Sequence, residues 1–174
     1  MFEQYSEAAR RTIFISLKIA KRRGAPEIGL EDLVEALVRE DQGPTFAVDA
    51  AEMAHGAAIP AAAIHRPFLT EEIARAIHHG LQPLMPVNDV PSPTSTDLPL
   101  SAAIKKVLML AYMFAYELSE GLRDGAAIPA EVEPLHLLAV VLADEGSEVA
   151  KIVKQAGVER QTVMAAIRSG PYSK

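Results

Sequence analysis

Apolar residues recur every three or four positions within residues 2–41, which is the period of an α-helix lying on a core. Ser6 stands where an N-cap can accept an orphan backbone N–H, and Gly24 with Pro26 ends the run. A shorter periodic run follows Gly29. This stretch is therefore predicted to be a helical hairpin, whose apolar stripe needs a partner to cover it. The stripe of the first helix carries Ala9, Ile13, Leu17 and Ala20.

The pattern returns in residues 101–144, which supplies that partner. Ser101 corresponds to the cap Ser6. IKKVL at 104–108 corresponds to ARRTI at 9–13, and LHLL at 135–138 corresponds to EDLV at 31–34. Two copies suit a globule in which each covers the apolar face of the other. We predict an all-α fold of two pseudo-twofold-related repeats, each of about four helices. The predicted core contains Leu17, Leu33, Leu37, Leu108, Leu137 and Val141.

The chain divides by composition into a first repeat (1–79), a proline-rich linker (80–100), a second repeat (101–170) and a short tail (171–174). Prolines rule out a continuous helix through the linker. A third helix is expected over residues 43–55. The two histidines His78 and His79 are predicted to be a solvated helix end, because consecutive residues on a helix point in different directions and make poor metal ligands together.

The composition narrows the class of protein. At 174 residues with 49% hydrophobic side chains, the chain is predicted to be a single domain with an ample core. It has no cysteine, so disulfides and cysteine zinc sites are excluded. A net charge of −6 argues against nucleic acid as a partner. No run of about 18 apolar residues predicts a membrane span, and no signal peptide is recognisable, so a cytoplasmic location is expected.

The two copies resemble the tandem repeats of the Clp N-terminal domain, the substrate- and adaptor-receiving module of the Clp/Hsp100 AAA+ unfoldases. The resemblance rests on the opening A-R-R-x-I, on the elbow at 24–29 and on LEDLVEALVRED at 30–41. EPLHLL at 133–138 is similar to a variant in the disaggregase branch. The resemblance implies a non-catalytic module that binds proteins or peptides: unfolded segments, a Clp-type unfoldase or an adaptor, in a chaperone or proteolysis-adaptor role.

The same resemblance implies a peptide-binding groove. In the disaggregase branch a hydrophobic groove is lined by residues that correspond here to Ser6, Leu110, Phe114 and His136. From the residues alone, the run at 107–118 is apolar almost all round, which leaves two interpretations. It is the central buried helix, or one flank of it is a binding surface on which Met113 adapts to varied side chains.

Some Clp N-domains capture phosphorylated arginine with the acid of a T-E-H motif at the start of the second helix of each repeat. The first copy has Leu30, Glu31 and Asp32 there, which keeps the acid, so Glu31 is the candidate for an arginine or phosphoarginine site. The second copy has Leu135 in place of the acid. Leucine has no charge to pair with a guanidinium, so no such site is expected in the second copy.

No catalytic, metal or cofactor motif is recognisable in the sequence. No metal ligand set and no cofactor is predicted. Two alternatives to a binding module stay open. One is a small enzyme that uses Glu31, Asp32 and His136, and the other is a fragment of a longer Clp ATPase.

The absence of a G-x-x-x-x-G-K-[ST] loop generates a first testable prediction. Such a loop cradles nucleotide phosphates with its backbone N–H groups, so this chain is expected neither to bind nor to hydrolyse ATP. Phosphate release by the purified protein measures this. ATP turnover that a point substitution in this chain abolishes would contradict it.

Overall fold

A computed structural model describes residues 3–43, 67–88, 97–121 and 131–169. Within these ranges the chain forms seven α-helices and one short 3-10 helix, Gln82–Leu84, which confirms the all-α prediction. The predicted helix over 43–55 falls almost entirely outside them, as do residues 89–96 of the linker and the tail. The α-helices are α1 (Glu7–Arg22), α2 (Leu30–Gln42), α3 (Glu71–Leu81), α4 (Ala102–Gly121), α5 (Pro134–Ala143), α6 (Glu148–Gln155) and α7 (Arg160–Ser169).

The two long helices begin at the predicted serine caps. The Ser6 hydroxyl accepts the Ala9 N–H at 3.1 Å, and the Ser101 hydroxyl accepts the Ile104 N–H at 3.3 Å. Each bond satisfies a backbone donor that has no partner inside the helix. At its other end α1 stops because Gly24 turns the chain with φ +67°, a conformation that favours glycine.

The short segments that precede the helices of one copy pair with those of the other copy. Tyr5, before α1, pairs in parallel with Val132, before α5, and Leu100, before α4, pairs in parallel with Ile28, before α2. The hydrogen bonds match: the N–H of Val132 donates to the carbonyl of Gln4 at 2.7 Å, and that of Ile28 to the residue before Leu100, Pro99, at 2.9 Å. Each copy thus supports the start of the other's second helix, and the two junctions are related by the predicted pseudo-twofold axis.

Helices α2 and α5 lie at the centre of the molecule. Residues 32–38 of α2 are all buried, and α5 buries all but one residue between 136 and 142. Leu33, Leu137 and Val141 have no exposed surface. The other helices wrap around this pair, which is how each copy hides the stripe that it cannot bury alone.

The charged side chains that helix α2 buries are paired. Arg23 binds Asp32 through two hydrogen bonds of 2.7 and 2.8 Å. Glu35, only 1% exposed, accepts from Arg39 at 2.8 Å and lies 3.0 Å from the His78 ring nitrogen. Within the described ranges no buried side-chain nitrogen or oxygen lacks a partner. Pairing of this kind is required, because an unpaired buried charge costs several kcal/mol.

Three expectations are corrected here. Leu17 is half-buried rather than in the core, because α1 turns the side with Thr12 and Ser16 inward. These two hydroxyls bond to carbonyls of their own helix, at 3.0 and 2.7 Å, so the small residues are buried without an unmet polar group. His78 is not a solvated helix end, since Glu35 holds its ring. Helix α3 also continues past His79 to Leu81.

None of the described helices is long and apolar enough to cross a membrane. In the same part of the chain, no group of three or more acidic or histidine side chains is arranged to hold a metal ion.

Leu37 tests the packing of the central helix. Its side chain is 5% exposed, so Leu37→Ala is expected to lower the free energy of unfolding by about 2–5 kcal/mol through lost burial and a cavity. Urea denaturation followed by circular dichroism measures the change. Val87→Ala, at a position 77% exposed, is the control and should leave the midpoint unchanged. An unchanged midpoint for Leu37→Ala would refute its burial.

Candidate functional site

At the junction between α1 and α5, Ser6 meets the start of the helix that carries His136. The backbone N–H of Ser6 donates to the carbonyl of Val132 at 3.1 Å, so Ser6 lies beside the first turn of α5. Its side chain also shares a hydrogen bond with Glu133. Burial raises the pKa of the Glu133 carboxyl above its ordinary value, and the bond to Ser6 partly offsets this rise.

His136 occupies the third position of α5. Its Nδ1 accepts the backbone N–H of Glu133 at 2.9 Å, which leaves the proton of the neutral ring on Nε2. Burial lowers the pKa of His136 from 6.5 to about 4, because the low-polarity surroundings disfavour the charged ring. The side chain is therefore a neutral helix cap at pH 7.

The ring of His136 contacts Phe114 of α4 edge to face, with centroids 5.7 Å apart and planes at 74°. Phe114 is half-buried and packs partly on the core, while the rest of its ring is exposed. Leu110, one turn earlier on the same flank, is also half-buried. The structure thus connects Ser6 to Glu133, Glu133 to His136, and His136 to Phe114. Leu110 lies on the same flank of α4 as Phe114.

The pseudo-equivalent place in the first copy is closed. Ile19 stands where the second copy has Phe114, and it is only 7% exposed. Arg23 stands where the second copy has Leu118, and its guanidinium fills the space beside Asp32, the counterpart of His136. The two junctions therefore share a backbone but differ in what covers them.

Glu31, the candidate arginine-site acid, belongs to this closed junction. Its carboxylate lies 2.7 Å from Nη2 of Arg23 and its side chain is 22% exposed. The hydrogen bond to Asp32 raises the pKa of the Arg23 guanidinium above its ordinary value, so Arg23 stays charged and paired. An incoming arginine would have to compete with this internal one, and recognition of phosphoarginine by Glu31 stays a prediction.

The arrangement of helices is found in solved structures. The N-terminal domain of ClpD, a caseinolytic protease-associated chaperone from Arabidopsis thaliana, aligns over 97% of this chain and 98% of its own, with a TM-score of 0.61 and 19% identity. A structure described as preliminary structural investigations of a malarial protein secretion system aligns over 95% and 93%, with a TM-score of 0.65 and 17% identity.

The chain has the Clp N-terminal domain fold. The alignments span nearly the whole chain, so they include both copies and confirm the resemblance that the motifs of the sequence carried. No protein-family model and no curated protein sequence matches the chain. The fold is therefore shared by sequences that differ widely, with 17–19% identity between this chain and the two solved structures.

Two residues of the junctions were missed from the sequence. Glu133 links Ser6 to His136, and its place directly before the Pro134 that opens α5 was a signal for a capping residue. Arg23 closes the other junction, and no local pattern predicted it, because its partners are eight and nine residues away in the following helix.

The pKa of His136 generates a prediction about stability. The unfolded ring takes a proton below pH 6.5, whereas the folded ring does so only near pH 4, so stability is lost as the pH falls through this window. The loss attributable to His136 reaches about 3 kcal/mol at the lower end. His136→Asn keeps an acceptor for the cap and removes the titration, so its stability should fall less steeply between pH 6.5 and 4.

Urea denaturation at several pH values measures both slopes, and taking the difference between the proteins cancels the contribution of Glu133, whose raised pKa acts in the opposite direction. His79→Asn, at an exposed position on α3, is the control and should follow the unsubstituted chain. Parallel curves for the unsubstituted protein and His136→Asn would show that the ring is not held neutral.

Proposed function

We propose that this Clp N-domain is a non-catalytic module that binds proteins or peptides at the groove lined by Ser6, Leu110, Phe114 and His136. The observation that carries the proposal is the half-buried, incompletely covered Phe114 ring beside a neutral, buried histidine at the junction of the two copies. Here an aromatic side chain is fixed in position but is not fully covered by its own chain.

The chemistry of this surface favours apolar segments. Leu110 and Phe114 offer aliphatic and aromatic contact area, and His136 adds an uncharged ring at pH 7. Exposed apolar surface framed by polar groups is typical of a recognition site. Contacts of this kind select for hydrophobicity more than for a particular sequence, which suits unfolded segments of other proteins.

Partners are proposed on the same ground. A Clp-type unfoldase, an adaptor or an unfolded substrate would present apolar side chains to the groove, in a chaperone or proteolysis-adaptor role. The proposal holds for a domain in front of a Clp ATPase and for one that acts apart from it. With a net charge of −6, nucleic acid is disfavoured, and we place the activity in the cytoplasm.

The alternative of a small enzyme that uses Glu31, Asp32 and His136 finds less support. Asp32 and Glu31 are bound to Arg23, and Asp32 also accepts the Gly29 N–H at 2.8 Å as a cap. His136 is a cap in the other copy. Each side chain thus has a structural partner, and the two acids and the histidine serve different junctions.

Phe114→Ser tests the groove. Because the ring is half-buried, we expect a loss of about 1–2 kcal/mol in the free energy of unfolding, below the 3–5 kcal/mol typical of a fully buried phenylalanine. Binding of a labelled, permanently unfolded model protein should weaken about tenfold or more, as for an interface anchor. Fluorescence anisotropy gives the affinity, and urea denaturation gives the stability.

Phe14→Ser makes the same chemical change on α1 at a side chain that is 55% exposed and outside the groove, so it should alter neither quantity. Unchanged substrate binding by a folded Phe114→Ser variant would refute the groove. A stability loss as large as that of a core phenylalanine would also count against it.

A further inference from the structure

Helix α4 exposes a second apolar face. Four large side chains on it are 38–57% exposed, although its opposite side is packed on the core. Their spacing of three, one and three residues places them together on one side over two helical turns. They are Met109, Tyr112, Met113 and Tyr116, and we call them the α4 stripe.

The α4 stripe is separate from the groove. Successive residues of a helix turn by about 100°, so Met109 and Met113 point about 100° away from Leu110 and Phe114 respectively. The core side of the helix, which includes the buried Ala111, lies opposite the stripe. Helix α4 thus has three apolar directions: one is buried in the core, the flank with Leu110 and Phe114 is half-buried, and the stripe is exposed.

The fold does not require apolar residues at two of the four stripe positions. In the first copy, Lys18 and Lys21 of α1 occupy the positions of Met113 and Tyr116, while Phe14 and Leu17 occupy those of Met109 and Tyr112. The positions of Met113 and Tyr116 are therefore compatible with charge on the same architecture. Several large apolar side chains exposed side by side are typical of a surface that another molecule covers.

We propose that the α4 stripe is a homodimer seam, in which α4 packs antiparallel on α4 of a second copy. With the twofold axis midway between Tyr112 and Met113, Met109 faces Tyr116 of the partner subunit and Tyr112 faces Met113 of the partner subunit. Each sulfur-containing side chain then meets an aromatic ring, which is a favourable contact.

Charges beside the stripe select a second copy in this orientation. Lys106 and Glu117 are both exposed, and their separation of eleven residues returns them to the same flank of the helix. An antiparallel partner brings Lys106 of one copy near Glu117 of the other, twice by symmetry. A parallel twofold would place the two copies of this flank on opposite sides of the seam, where Lys106 and Glu117 do not meet. Lys106 lies 4.0 Å from Asp144, an exposed and weak pair that leaves its ammonium group available.

A cavity at the N-terminal end of the stripe fits the same register. It has a volume of about 350 Å³, which is in the range of pockets that hold small organic groups. Antiparallel pairing sets Tyr116 of the partner subunit opposite Met109, at the mouth of this cavity, where its ring can enter. The walls are Gln4, Tyr5, Leu100, Lys105, Leu108, Met109 and Tyr112.

Sedimentation equilibrium of the whole chain tests the seam. Two turns of helix make an interface below the standard size, so a reversible dimer with a dissociation constant on the order of 10–100 µM is expected. The mass should rise from 18.7 kDa toward twice that value across this range. Met113→Lys and Tyr116→Lys, which copy the lysines of α1, should each weaken association by about a hundredfold or more, because they bury an unpaired charge.

Phe14→Lys is the matched control: it adds a lysine at an exposed aromatic residue of α1, outside the seam, and should leave the dissociation constant unchanged. Thermal melts establish that the variants fold. Two variants are used so that a folding defect in one leaves the other as a test.

Charge reversal tests the orientation. Lys106→Glu and Glu117→Lys each place like charges together and should weaken the dimer by about fivefold or more, while the double reversal should restore it. A chain that stays monomeric throughout the range overturns the proposal, as does a dimer that persists in both lysine variants. Loss of unfolded-substrate binding in Met113→Lys, with a monomeric unsubstituted chain, would overturn it in favour of a foreign partner. The measurements of mass and dissociation constant do not depend on the groove at Phe114.

Discussion

The structure depends on the burial of two helices, α2 and α5, on nearly every side. A helix enclosed in this way must bring each of its polar side chains to a partner, because water cannot reach them. In α2 this requirement explains the ion pair of Asp32 with Arg23 and the contacts of Glu35 with Arg39 and His78. In α5, Ala139 stands where α2 has Glu35, so the second copy meets the same constraint with apolar packing.

Backbone pairing between the segments that precede the helices joins the two copies. It also creates two junctions with the same backbone bonds and different side chains. One is filled by the Arg23 guanidinium and is closed, and the other has His136 and the half-buried ring of Phe114. The pseudo-symmetry therefore provides an internal comparison: the shared features are those that the fold needs, and the proposed binding surface lies where the copies differ.

Helix α4 shows the same contrast. Its sequence is apolar almost all round, and neither interpretation of that pattern was complete. One side is core, one flank belongs to the proposed groove, and a third side exposes the α4 stripe, where α1 carries Lys18 and Lys21 at two of the four positions. Exposed apolar side chains grouped on one side of a helix are typical of a surface that another molecule covers.

The sequence by itself determined the two copies, the helix starts at Ser6 and Ser101, and most of the core, including Leu33 and Leu137. These features are local: caps and apolar periodicity are set by residues within one or two turns of each other. Only the tertiary structure decided that α1 turns Leu17 partly outward, that Arg23 closes one junction, and that Ser6 reaches the start of α5. These outcomes rest on contacts between residues far apart in the chain, such as Tyr5 with Val132, and local periodicity holds no information about which distant segment will meet it.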